Sequence, residues 1–232
     1  VRLGVTRAHG RINNLVKPAA SRGIEIVPLP LVETQPVAFD WPENLPVERV
    51  DWVFFTSANG VVSFFRRLDE LGLALSPKTM IAAVGGKTAE AVGQLGLDVS
   101  FTPSQSGGEA LFAEFLNATE GISLVLIYAR GRVVQFDPSE LMGNRNTVYH
   151  PVVCYESVSC RVDPEIVARF TAGDYILFTA PSAVAAFHEQ FGPPGAKVIG
   201  IGQTTAAAMA RLGWTEITTM KQPAIDRVLE YL

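Results

Sequence analysis

The chain repeats itself. Val53-Phe54-Phe55-Thr56-Ser57-Ala58-Asn59-Gly60-Val61 is echoed by Ile176-Leu177-Phe178-Thr179-Ala180-Pro181-Ser182-Ala183-Val184. Ile81-Ala82-Ala83-Val84-Gly85-Gly86-Lys87-Thr88-Ala89 is echoed by Val198-Ile199-Gly200-Ile201-Gly202-Gln203-Thr204-Thr205-Ala206. Leu3-Gly4-Val5-Thr6-Arg7 aligns with Leu126-Ile127-Tyr128-Ala129-Arg130 at an offset of 123, Thr56 precedes Thr179 by the same 123, and Gly85 precedes Gly202 by 117. A domain-sized unit occurs twice, which is duplication rather than a short-period solenoid. Each copy is an apolar strand that stops at small hydroxyl and glycine residues and then starts a helix. Such ends are where α/β proteins present backbone N–H groups to anions. A doubled set of them predicts two lobes gripping one ligand.

Periodicity agrees with an α/β reading. Leu3–Val5, Glu25–Leu29, Val53–Phe55, Met80–Val84, Val99–Phe101, Leu124–Tyr128, Tyr175–Phe178, Lys197–Ile201 and Glu216–Thr218 read as strands. Between them run helical faces. Ile12, Leu15, Val16 and Ala19 form one, with Pro18 inside it implying a kink or a late start, and Val61, Phe64, Phe65 and Leu68 form another. Asp163-Pro164 reads as an N-cap followed by proline at the first helical position. Thr147–Ser157 reads as extended chain interrupted at Pro151, and Val32–Pro46 as a connection. Strands separated by helices of this length predict βαβ units and parallel sheets.

With 232 residues the chain suits two domains of about 100–120 residues. Its formal charge of −4 argues against a nucleic-acid partner. No apolar run approaches the roughly 18–20 residues of a membrane helix. Val1–Val5 reads as a strand rather than a signal peptide. Cys154 and Cys160 lack metal or redox-motif spacing and read as free buried thiols, which fits a reduced, cytoplasmic protein.

The strand ends hold the candidate chemistry. Hydroxyl and amide side chains there have a structural use, capping helix N–H groups. Yet Thr6-Arg7, Thr56-Ser57, Gly85 to Thr88, Ala129-Arg130-Gly131, Thr179 to Ser182 and Gly202 to Thr205 all end strands. In parallel sheets these converge on one rim per lobe, suited to a polyanion. Gly85-Gly86-Lys87-Thr88 lacks the leading glycine of a phosphate loop, since that position is Ile81. Gly200-Ile201-Gly202 lacks the third glycine of a dinucleotide fingerprint. His9, His150 and His188 are scattered, and His188 rides a packing face. No carboxylate cluster has metal-ligand spacing, and no nucleophile elbow or triad is present. An enzyme of this kind works by binding and orientation.

The ordered set Thr6-Arg7, Pro28-Leu29-Pro30, Phe55 to Val61, Ala83 to Ala89, Tyr155-Glu156 and Ile201 to Ala206 resembles the uroporphyrinogen-III synthase family over essentially the whole chain. The resemblance implies a cofactor-free lyase of tetrapyrrole biosynthesis, on the routes to haem, sirohaem, cobalamin and chlorophyll-type products. It would cyclise hydroxymethylbilane to uroporphyrinogen III with inversion of ring D and loss of water. Its power would come from proximity and orientation. Tyr155 matches the tyrosine proposed to assist hydroxyl departure, as general acid or by holding the leaving group. Thr56, Ser57, Asn59, Gly85, Thr88, Ser182, Gly202 and Thr205 match the family's ligand-facing turns, and Thr6 and Thr179 end strands in the same way. Arg7, Lys87 and Arg130 would supply positive charge to the substrate carboxylates. The implied fold is α/β with two similar lobes. Each is a parallel sheet flanked by helices, flavodoxin-like or Rossmann-like, and a two-stranded extended linker joins them. One lobe would be residues 1–33 with 160–232, the other 37–153, with crossings near 32–37 and 153–159. The expected state is a cytoplasmic monomer, with no metal, taking substrate by transient hand-over from hydroxymethylbilane synthase. The competing reading is a non-enzymatic two-lobed protein that binds a small anion without turnover.

Overall fold

The computed structural model describes residues 1–7, 12–143 and 146–232. In chain order the elements are β1 (Arg2–Val5), α1 (Asn13–Ala20), β2 (Glu25–Pro28), β3 (Val32–Pro36), β4 (Trp52–Phe55), α2 (Ala58–Glu70), β5 (Met80–Ala83), α3 (Gly86–Gly93), α4 (Gly108–Ala118) and β6 (Leu124–Gly131). They continue with α5 (Ser139–Met142), β7 (Thr147–Ser159), α6 (Pro164–Ala168), β8 (Tyr175–Phe178), α7 (Pro181–Phe191), β9 (Lys197–Gly200), α8 (Gln203–Arg211) and β10 (Thr218–Thr219). Short 3₁₀ turns lie at Val47–Arg49 and Ile225–Glu230. The chain divides into two compact units, Val1–Glu33 with Val158–Leu232, and Thr34–Ser157.

Each unit is built on a five-stranded sheet, ordered β10-β9-β8-β1-β2 in the first and β3-β7-β6-β4-β5 in the second. The pairs β1–β2, β1–β8, β8–β9 and β9–β10 are parallel, as are β4–β5, β4–β6 and β6–β7. Alongside β7, β3 runs the other way. Val37 N–H donates to the Cys154 carbonyl and Cys160 N–H to the Leu31 carbonyl, both at 2.8 Å.

The sequence repeat reappears as strand register. Leu3 pairs with Ile26, and Leu126 pairs with Tyr149, both partners displaced by 123 positions. Trp52 pairs with Met80, and Tyr175 with Lys197, displaced by 123 and 117. Leu3 lies beside Tyr175, and Leu126 beside Trp52. Each sheet therefore takes two of these repeated strands from the first half of the chain and two from the second, in equivalent places.

Helices cover both faces of each sheet, so the strands are apolar throughout rather than alternating. All four residues of β4 are buried. Val53 and Phe55 pack with Val61, Phe64 and Leu68 of α2 and Val92 of α3. Trp52 and Phe54 face the other way, against Leu111, Phe112 and Phe115 of α4. The Phe54 ring lies 4.9 Å from Phe112 and 4.8 Å from Phe115 between centroids. In the first unit, Ile176 and Phe178 meet α7 and α8 through Val184, Phe187 and Met209. Leu177 faces Leu15, Ala19, Val228 and Leu229.

Some expectations need correction. Pro151 does not interrupt β7, which runs unbroken for 13 residues. The β3 contacts near Cys154 and Cys160 leave the stretch around Pro151 with an open outer edge, where a missing N–H is tolerated. Val99–Phe101 is not a strand but a lone bridge from Phe101 to Ala82, with Pro103 close behind. Glu216 has φ 53°, a left-handed conformation that delays β10 to Thr218–Thr219. Pro18 lies inside α1, where the periodicity places it. Both cysteines are free, and Cys154 is buried but Cys160 only partly so. Burial pushes the Cys154 thiol up to about 12. His188 packs as its helical face implied, its Nδ1 accepting from Trp214 Nε1 at 3.0 Å. His9 lies outside the described residues.

Asp174 ties the start of β1 to the start of β8. Its carboxylate accepts from Arg2 N–H at 2.7 Å and from the Thr171 N–H and hydroxyl at 2.9 Å. The Arg2 backbone bond foremost, with the Thr171 bonds and the Arg2 charge, holds its carboxyl down at about 2, against an ordinary 3.8. A depressed folded-state value stabilises the fold above the unfolded value and loses that contribution as pH falls through the folded one. Stability is therefore expected to drop between about pH 4 and pH 2, and Asp174→Asn to flatten that part of the profile. Urea midpoints across this range check it; an unchanged acid slope in the variant would contradict the assignment.

Candidate active site

Parallel register sets the geometry. In the second unit Phe55 pairs with Ala83 on one side and Ala129 on the other, so β4, β5 and β6 reach the same edge together. Thr56, Val84 and Arg130 come next on each strand. Two residues separate β4 from α2 and β5 from α3. The same two-residue turns join β8 to α7 and β9 to α8 in the first unit. Ser57 before α2 has φ −157° and ψ 152°, and Ala180 before α7 has −161° and 153°. Gly85 and Gly202 are likewise both extended. Helices α3, α7 and α8 start without a side-chain cap, so their first N–H groups and the positive end of each helix dipole face outward.

Only α2 among these four is capped by its own side chain, and that cap leads to the tyrosine. Gly60 N–H donates to Ser57 Oγ at 3.0 Å. The Ser57 hydroxyl donates in turn to Tyr155 Oη at 2.8 Å. Tyr155 reaches this place because β7 pairs with β6 up to Gly131, with a register shift after Arg130. Its half-buried ring lies against two glycines. A Cβ on Gly131 would stand 2.9 Å from Tyr155 Cζ and 3.1 Å from its hydroxyl, and one on Gly60 would stand 3.6 Å from Cε1. No larger residue leaves Gly131 room for the ring as it lies.

Beside this pair is a pocket of about 360 Å³, lined by Thr56, Val84, Gly107, Gly108, Tyr128, Val133 to Phe136 and Tyr155. Thr56 Oγ1 and Tyr128 Oη share a hydrogen bond of 3.2 Å. Burial pushes the Tyr128 phenol above its ordinary value, and the Thr56 bond offsets part of the rise. Burial raises Tyr149 as well, with the Asp137 charge adding to it. Both phenols stay neutral donors at physiological pH. Gly107, at φ 149° in a region natural to glycine, opens α4 onto the pocket without a side-chain cap. Arg130 Nη1 lies 3.5 Å from Asp137 Oδ2, while its Nε is buried without a hydrogen-bond partner.

The other expected residues sort by unit. Asn59 Nδ2 donates to Thr34 Oγ1 at 3.3 Å. Lys87 is exposed in the first turn of α3, and Thr88 is buried behind it. In the first unit, Thr179 N–H donates to Thr6 Oγ1 at 3.0 Å, and the Thr179 hydroxyl donates to the Thr6 carbonyl at 3.2 Å. Those two threonines stitch β1 to β8, and Thr6 is buried. Thr205 is buried too, Ser182 is exposed, and Arg7 and Gly202 are half-buried. Sequence reasoning missed Tyr128, which reads there as a strand residue, and the Gly107-Gly108 turn. A glycine pair before a helical face was the available signal for the latter. Among the described residues no group of three or more His, Cys, Asp or Glu is placed to hold a metal ion, and no helix is long and apolar enough to cross a membrane.

The glycine cradle gives a direct test. Gly131→Ala forces the Tyr155 ring aside, and overpacking of this kind costs about 1–3 kcal/mol. Urea unfolding measures it. A cost below about 0.5 kcal/mol would contradict the close seating of the ring.

Comparison with known proteins places this architecture. The chain is 26% identical over 238 residues to the chloroplastic uroporphyrinogen-III synthase of Oryza sativa subsp. japonica, covering 97% of this chain and 78% of that one. It is 25% identical over 221 residues to the uroporphyrinogen-III synthase of Chlorobaculum parvum, covering 90% and 88%. The crystal structure of uroporphyrinogen-III synthetase from Helicobacter pylori shares the fold, with a TM-score of 0.66 at 19% identity over 99% of this chain and 97% of that one. The sequence profile described as uroporphyrinogen-III synthase HemD matches residues 13–230. By that match this chain belongs to the uroporphyrinogen-III synthase family.

Proposed function

We propose that the chain cyclises hydroxymethylbilane to uroporphyrinogen III, with Tyr155 as the proton donor to the departing hydroxyl. The observation that carries this reading is the seating of Tyr155. Its ring is fixed between Gly60 and Gly131, its oxygen is bonded to Ser57, and it forms part of the pocket wall. The pocket is too small for a four-ring chain and takes the reacting end. There the C–O bond of the hydroxymethyl group breaks and water leaves with the tyrosine's proton. The cation left behind is attacked by ring D, which inverts through a spiro intermediate before the macrocycle closes, and the proton that ring D sheds on closure restores the phenol. Closure without the protein gives the uninverted isomer, so the protein's work is to hold the chain where that attack is out of reach.

The substrate carries acetate and propionate carboxylates on every ring. Uncapped starts of α3 and α4 in one unit, and of α7 and α8 in the other, suit carboxylates through backbone N–H groups and helix dipoles. Lys87 and Arg130 add charge in the second unit and Arg7 in the first. Asn59, Gly85, Ser182 and Gly202 belong to the same turns. Thr6, Thr88, Thr179 and Thr205 serve by shaping these turns, since three of them are buried and Thr179 is bonded to Thr6. The sheet order β2-β1-β8-β9-β10 matches the flavodoxin-like pattern, which supports reading residues 1–33 with 160–232 and residues 37–153 as two lobes. The pairing of β3 with β7 near both unit boundaries supports reading those strands as the linker. We extend the proposal to a cytoplasmic monomer that needs no cofactor and receives its unstable substrate from hydroxymethylbilane synthase.

Incubation with freshly made hydroxymethylbilane, followed by separation of product isomers, tests the activity. Isomer III is expected to dominate. An isomer ratio equal to that in buffer would overturn the proposal, and tight binding with that ratio would identify an anion-binding protein instead. Tyr155→Phe keeps the ring and loses the proton; kcat is expected to fall about 10-fold or more. An unchanged kcat would remove Tyr155 as the donor.

A further inference from the structure

We infer that Ser57 is a positioning residue that directs the proton of Tyr155, not a residue that holds substrate. The inference rests on the reading of Tyr155 as the proton donor. A serine hydroxyl has one proton and two acceptor positions. Here the proton goes to Tyr155 Oη at 2.8 Å, while the oxygen accepts from Gly60 N–H at 3.0 Å. With its oxygen already accepting from Ser57, the phenol turns its own proton away from Ser57, and Tyr155 is part of the pocket wall. The chain runs from backbone N–H to serine to phenol and ends on the departing hydroxyl. The helix start fixes its first member, so the direction of the whole chain is set before substrate arrives.

The internal repeat supplies an independent observation. Moved by the repeat offset of 123, Ser57 corresponds to Ala180 and Gly60 to Ala183, while Tyr155 corresponds to Val32 and Gly131 to Ala8. All four members of the tyrosine's setting are replaced together in the other copy. Thr56, which does not touch Tyr155 through its hydrogen bond, recurs as Thr179. The turn itself survives the replacement, since Ala180 adopts nearly the same φ and ψ as Ser57 and α7 starts normally after it. The hydroxyl at Ser57 is therefore not needed to make the turn, and it accompanies the tyrosine.

Steady-state kinetics on hydroxymethylbilane for the unmodified chain, Ser57→Ala, Tyr155→Phe and the double variant test this. Ser57→Ala is expected to lower kcat about 10-fold with KM within about twofold. The double variant is expected to match Tyr155→Phe alone within about twofold, because two groups acting through one proton are not additive. Ser57→Thr, which keeps the hydroxyl, restores kcat. A double variant showing the product of both losses, or a Ser57→Ala change confined to KM, would make Ser57 a substrate contact and overturn the inference while leaving Tyr155 in place. Tyr155→Phe with full kcat would overturn both, and the single variant alone reveals that case. Should Ser57→Ala melt at the assay temperature, Ser57→Asp replaces it. Aspartate still caps α2 but only accepts, drawing the phenol's proton inward, so the same kcat loss and the same non-additivity are expected.

Discussion

The common register of β4, β5 and β6 is the constraint from which the site follows. Parallel strands buried on both faces cannot slip by one residue without exchanging the side chains packed on each face, and here Phe55 is pinned between Ala83 and Ala129. Their ends must therefore meet on one edge, with helices beginning after two-residue turns that follow β4 and β5. The hydrophobic packing of Trp52, Phe54, Phe112 and Phe115 fixes the sheet to α4, and that contact brings the glycine opening of α4 to the pocket. Core and site are thus one problem: the same rings that stabilise the sheet decide where its polar ends point.

Duplication explains how a site with no cofactor motif arises. The two copies keep the backbone turns, the registers and the threonine pair at positions 56 and 179. They differ where chemistry is proposed. One copy has serine, tyrosine and two glycines in contact; the other has alanines and valine at the matching positions. A glycine at 131 is needed because the tyrosine ring fills the volume a side chain would take. Aromatic ring and glycine are thus coupled by simple exclusion.

Much of the α/β character was legible in the sequence because it is carried by periodicity and repetition. Offsets of 123 and 117 between peptide segments turn out to be the offsets between paired strands. Elements whose outcome depends on a neighbour were not legible. Pro151 reads as a break, but the open edge of β7 around it makes the missing N–H harmless. Phe101 reads as a strand end, but its ring packs on Phe115 and only one bridge forms. At the site, Thr56, Ser57 and Tyr155 were visible as motif residues. Tyr128 was not, because a tyrosine in a buried strand has the same pattern whether its hydroxyl meets Thr56 or nothing at all.

The central claim is that the Tyr155 hydroxyl addresses the leaving group while helix starts hold the carboxylates. A crystal structure of the chain with an unreactive linear tetrapyrrole, its terminal hydroxymethyl replaced by a stable polar group, measures this most directly. The account predicts that group within about 3 Å of Tyr155 Oη, with the bond from Ser57 intact. An analogue bound in an ordered way with its terminus remote from Tyr155 would contradict it.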